Sequence, residues 1–84
     1  MYKLHSTKAA DAVWESLPDE ALREFNEAIR LACEDPWVHT EPRERDDPRD
    51  VRRTITLQHT VAALLIIEGP PLRWLYLRNL DDLG

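Results

Sequence analysis

A chain of 84 residues, 43% hydrophobic and 32% charged, can bury one small core and not two, so it reads as a single domain spanning 1–84. A net charge of −5 weighs against a protein that holds nucleic acid mainly by phosphate contacts, although nine of the eleven basic residues are arginine and most of these fall in the second half, where they could form a local basic face. No apolar run approaches the roughly 20 residues of a membrane-spanning helix, the opening MYKLHSTKAADAVW lacks the apolar segment of a secretory leader, and one cysteine, Cys33, excludes an internal disulfide and a cysteine-type metal site; a cytoplasmic location without membrane contact is expected.

Tyr2 and Leu4 alternate with Lys3 and His5, which predicts a short edge or added strand. Ser6 or Thr7 can cap the following helix, whose Ala10, Val13, Trp14 and Leu17 form one apolar stripe before Pro18. Asp19 and Glu20 then open a second helix at its positive end. Ala21, Leu22, Phe25, Ala28, Ile29, Ala32 and Cys33 lie on one side of it, and only Leu31 departs from the stripe. Arg23 with Glu27 and Arg30 with Glu34 are spaced as surface ion pairs. Asp35-Pro36 stops this helix, making a helical hairpin that needs a surface to cover.

Trp37 to Asp50, WVHTEPRERDDPRD, has neither helical nor strand period and predicts a long loop, either a return connection or a binding loop. Three strands follow. Val51, Arg53, Ile55 and Leu57 alternate with Arg52, Thr54 and Thr56. Val61 to Ile67 is apolar on both sides, the pattern of a central strand covered on each face. Leu72 to Asn79 alternates again, with Leu75 and Leu77 opposite Trp74, Tyr76 and Arg78. Turns at Gln58-His59 and at Glu68-Gly69-Pro70-Pro71 make an antiparallel meander. The expected class is α+β, β-α-α-β-β-β, with a two-helix hairpin on one face of a small, mostly antiparallel sheet. Arg52, Thr54, Trp74, Tyr76 and Arg78 would then share the other face.

With YKLHSTKAADAVWESLPDEALREFNEAIRLACEDP, VRRTITLQHTVAALLII and LRWLYLRNLDD in place, the chain resembles the RelE/ParE superfamily, toxins of bacterial type II toxin-antitoxin systems, over nearly its whole length. The resemblance implies a cognate antitoxin partner and, for the RelE-like branch, cleavage of messenger RNA on the ribosome without metal or other cofactor. In that chemistry the RNA 2′-hydroxyl attacks the adjacent phosphate, so the protein must move protons and stabilise phosphate charge. Carried over by position, Arg52 or Arg53, Tyr76 and Arg78 are the candidate catalytic residues. Thr60, Val61 and Ala62 stand where the family places an arginine, so the catalytic positions read as degenerate. Two other functions fit the same resemblance: a ParE-like toxin that acts by binding DNA gyrase, and a non-toxic interaction module, for example a homodimer, using Trp74 and Tyr76.

The candidates also have structural explanations. Arg53, beside Ile55, is expected to snorkel past the sheet edge. Arg52 and Arg78 suit RNA or an acidic antitoxin segment. Tyr76 is expected to pack against Trp74 or to stack a base, since an ordinary phenol is a poor base at neutral pH. His39 and His59 lack carboxylate partners in the sequence, and His5 reads as a surface residue.

Overall fold

A computed structural model describes every residue, Met1–Gly84. The elements are β1 (Lys3–Ser6), α1 (Lys8–Glu15), α2 (Asp19–Glu34), a single helical turn α3 (Pro36–His39), β2 (Glu41–Pro42), β3 (Arg52–Thr56), β4 (Thr60–Gly69) and β5 (Leu72–Asp82). The sheet order is β1-β5-β4-β3-β2. Every neighbouring pair is antiparallel except β1, which runs parallel to β5. The result is a mixed α+β architecture with helices on one face of a mixed sheet. No helix is long and apolar enough to cross a membrane.

Thr7 is the residue that caps α1, accepting a hydrogen bond from Ala10 N at 3.1 Å. Ala10 and Leu17 from the first stripe and Ala21, Phe25, Ile29 and Ala32 from the second are buried against Ile55, Ala62, Leu64, Ile66, Leu75, Leu77 and Leu80 of the sheet. Trp14 meets Phe25 edge to face, with ring centroids 4.9 Å apart. On the exposed side of α2, Arg30 takes both Glu27 and Glu34, leaving the expected Arg23–Glu27 pair unformed.

Several expectations from the sequence are corrected. The 37–50 stretch is not wholly irregular: Asp35 caps α3 by accepting from Trp37 N at 3.1 Å, and Glu41–Pro42 pairs with Thr54 and Arg53. Val51 is exposed and lies outside β3. β4 is covered on one face only, because the protein has no second layer: Ala62, Leu64 and Ile66 are buried while Val61, Ala63, Leu65 and Ile67 are half-buried. Finally, β5 runs on to Asp82 through an irregularity. Leu64 pairs with Leu77 and Ala63 with Asn79, so Arg78 is an extra residue in a bulge, which returns Leu80 to the helix side.

Candidate functional site

The uncovered face of the sheet carries the residues singled out above, and the strand register fixes their arrangement. Leu65 pairs with Arg52 on one side and Tyr76 on the other, and Tyr76 pairs in turn with His5. Arg52, Leu65, Tyr76 and His5 therefore form one row across four strands. The row on one side holds Ile67, Trp74 and Lys3, and that on the other holds Thr54, Ala63 and Asn79 with Arg78 in the bulge. An aliphatic strip from β4 runs down the middle, with Arg52 on its β3 side and Trp74, Tyr76 and Arg78 on its β5 side, Trp74 toward the Ile67 end and Arg78 toward the Ala63 end.

At the Ala63 end, Arg43, Arg52, Thr54, Ala63, Arg78 and Asn79 surround a shallow concavity of about 320 Å³ with no carboxylate in its lining, which Arg53 and Leu64 also border although both are buried. Arg43 reaches it because its N donates to Arg52 O at 2.8 Å, continuing the β2–β3 ladder. Arg43 and Arg78 are exposed and carry no ion pair. Arg52 is held from behind: its Nε donates to Asp50 Oδ1 at 3.0 Å and its Nη2 to Asp50 Oδ2 at 2.8 Å. Asp50 also accepts from the backbone N of Arg52 and Glu44. Hydrogen bonding by the Arg52 side chain, first among these contacts, holds the Asp50 carboxyl far below the usual aspartate range. The other edge of the Arg52 guanidinium stays free for an anion. The bulge is secured from the helix layer, where the Thr7 hydroxyl that caps α1 also donates to Arg78 O at 3.2 Å.

At the Ile67 end, His5 lies against Trp74, ring centroids 4.1 Å apart at an interplanar angle of 39°. This corrects the expectation of a Trp74–Tyr76 pair and of a surface His5: the parallel pairing of β1 inserts an imidazole beside both rings. His5, Ser6, Ile67, Trp74 and Tyr76 line a second concavity of about 360 Å³. His5 Nε2 is buried and has no hydrogen-bond partner, while Trp74 keeps 37% of its surface exposed.

Arg53, proposed as a catalytic alternative to Arg52, is not on this face, nor does it snorkel to solvent. It is 3% exposed on the helix side. Its Nε donates to Thr40 Oγ1 at 2.8 Å, its Nη1 to Pro48 O and Asp50 O at 3.1 and 3.2 Å, and its Nη2 to Trp37 O and Thr40 O at 3.3 and 2.7 Å. The guanidinium also lies 5.2 Å from the Trp37 ring centroid. All five N–H donors are used, every acceptor is neutral, and burial lowers the Arg53 pKa from its ordinary value. Arg53 is thus the anchor of the 37–50 segment.

The remaining histidines lie off the open face. His59, in the β3–β4 turn, does acquire carboxylate neighbours from α2: its backbone N donates to Glu24 Oε1 at 3.2 Å and its Nε2 is 4.0 Å from Glu20 Oε1. His39 ends α3. The sequence reading placed Arg52, Thr54, Trp74, Tyr76 and Arg78 on one face, where the register puts them, but missed His5 and Arg43. The alternation of Lys3 and His5 was a signal of a strand; nothing in it named the neighbour.

Comparison with known proteins finds no matching family model, no matching curated protein and no matching solved structure.

Proposed function

We propose that this chain is a toxin of the RelE/ParE-like kind from a type II toxin-antitoxin pair, and that it engages RNA through the open sheet face. The observation that carries the reading is the single row Arg52–Leu65–Tyr76–His5, flanked by Arg78 in its bulge and by Trp74. Support also comes from the order of elements, a strand, two long helices and then a meander, which keeps the β-α-α-β-β-β sequence that the resemblance implies. Arginines without carboxylates in the concavity suit phosphate, and aromatic side chains on a sheet suit unstacked bases. The same apolar face would be covered by the antitoxin when the toxin is held inactive. Arg52 and Arg78 act here as phosphate ligands and Tyr76 as an orienting group. No side chain of the row is placed as a general base, in keeping with the degenerate positions of β4.

Inducible expression in a bacterial host, with and without the neighbouring gene, tests this. Growth arrest with shortened ribosome-bound transcripts is expected without the neighbour, and recovery with it. Normal growth with intact transcripts would sink the proposal. A second reading, a toxin of the same fold that only binds, is favoured by one observation: Asp50 already occupies one edge of Arg52. Growth arrest with intact transcripts, and inhibited supercoiling by purified protein with DNA gyrase, would establish that alternative.

A further inference from the structure

We propose that Asp50 is the positioning residue of the arginine concavity, acting through Arg52 by fixing that guanidinium so that its free edge meets an RNA phosphate. This role rests on the RNA reading above and belongs to a residue that never touches the ligand.

Asp50 lies behind the site rather than in it. It is 8% exposed and does not line the concavity, whereas Arg43, Arg52 and Arg78 do. Four donors converge on its carboxylate. Oδ1 accepts from the backbone N and from Nε of Arg52, each at 3.0 Å, while Oδ2 accepts from Arg52 Nη2 at 2.8 Å and from Glu44 N at 3.1 Å. A carboxylate offers about four lone-pair sites, so none is left to turn toward a ligand.

These contacts reach two of the three arginines. Arg52 is gripped along its Nε–Nη2 edge, leaving the rest of its fork of N–H donors for an anion. Arg43 is held through the backbone: its N donates to Arg52 O at 2.8 Å, and the next N–H, that of Glu44, ends on Asp50. Asp50 is itself pinned from the core, since its carbonyl accepts from the buried Arg53 guanidinium at 3.2 Å and its N donates to Asp47 O at 3.1 Å. The Arg78 side chain makes no ion pair.

Charge and positioning pull in opposite directions here, which makes the role measurable. A carboxylate close behind Arg52 repels an incoming phosphate, so on charge alone its removal tightens binding. An unrestrained arginine instead loses side-chain freedom when it grips a phosphate, a loss that Asp50 has already imposed in the folded protein. Asp50→Asn removes the charge and puts an amide NH2 where an oxygen now accepts two hydrogen bonds, so one pair of donors loses its acceptor. Loss of positioning is the larger effect, because salt screens the charge at a shallow, open site and leaves the geometry untouched.

Binding of a short fluorescein-labelled oligoribonucleotide to the intact protein, at neutral pH and fixed salt, tests this. Asp50→Asn is expected to bind about 10-fold more weakly than wild type, the equivalent of one arginine ordered on binding rather than beforehand. In an Arg52→Ala background the same substitution should cost nothing further, whereas in an Arg78→Ala background the loss should persist. Without RNA, the NMR resonance of the Arg52 Nε–H should exchange slowly with water in the wild type and rapidly in Asp50→Asn. Far-UV circular dichroism confirms the folding of each variant. Should Asp50→Asn fail to fold, the wild-type resonance decides together with Asp50→Glu, which keeps the charge but shifts the fork and should also weaken binding. Unchanged or tighter binding by Asp50→Asn would overturn the role while leaving the RNA reading standing, and so would losses that add in the Arg52→Ala background. A rapidly exchanging Arg52 Nε–H in the wild type would overturn it whatever RNA does. Absence of RNA binding by the wild type would remove both.

Discussion

Arg53 directs five hydrogen bonds at four backbone carbonyls and one hydroxyl drawn from Trp37, Thr40, Pro48 and Asp50. One side chain thereby fixes most of a segment rich in charge and proline. Truncation would leave those carbonyls unpaired, so Arg53→Ala is expected to lower the unfolding free energy by about 3 kcal/mol, and Arg53→Lys by nearly as much because an ammonium cannot reproduce the planar fork. Urea denaturation measures both, and unchanged midpoints would contradict the anchoring role. Asp50 makes a complementary prediction. Its folded-state pKa lies below its unfolded value, so the stability it contributes is present above the ordinary aspartate range near pH 4 and is lost as pH falls toward the depressed folded value. Asp50→Asn should therefore flatten the fall of melting temperature between about pH 4 and pH 2; an equally steep acid limb would show that other carboxylates control it.

At the scale of elements, the bulge in β5 is what lets one strand serve two faces. Leu75 and Leu77 point to the helices, Arg78 is the inserted residue, and Leu80 points to the helices again. Deleting Arg78 would restore strict alternation and keep all three leucines inward, because Asn79 would then occupy the single open-face position between Leu77 and Leu80. The deletion is expected to cost less than about 1.5 kcal/mol, chiefly through the lost Thr7 contact, while removing an arginine from the concavity. A thermal melt of the deletion variant showing loss of cooperative unfolding would mean that the bulge itself is needed for the fold. Helix α1 matters to the same strand, since Thr7 N donates to Leu77 O at 3.1 Å while its hydroxyl holds the next carbonyl.

For the whole molecule, the decisive property is that the sheet is covered on one side. Adjacent residues of β4 should therefore respond differently to the same substitution. Leu64→Ala, in the helix-facing core, is expected to cost about 3 kcal/mol, and Leu65→Ala, on the open face, only about 1 kcal/mol. Equal losses in chemical denaturation would indicate a second cover on the open face in solution. Much of this layout was legible in advance: the stripe Ala21, Phe25, Ile29 and Ala32 and the inward Leu75 and Leu77 follow from helical and strand periods, which depend on neighbours a few residues away. His5, Arg43 and the Arg53 cage were not legible, because each depends on partners brought from distant parts of the chain.

The sequence by itself determined two amphipathic helices, a meander and the side of each strand on which Arg52, Thr54, Trp74, Tyr76 and Arg78 lie, since alternation is a local steric property of the backbone. It could not say which apolar side of Val61 to Ile67 faces solvent, since an aliphatic strand reads the same whether its second cover comes from its own chain or from a partner. Only the tertiary structure decided that. It also set β1 parallel to β5, placing His5 beside Trp74 and Tyr76, and turned Arg53 from a candidate catalyst into a buried anchor, because strand neighbours and carbonyl cages are fixed by packing across the molecule.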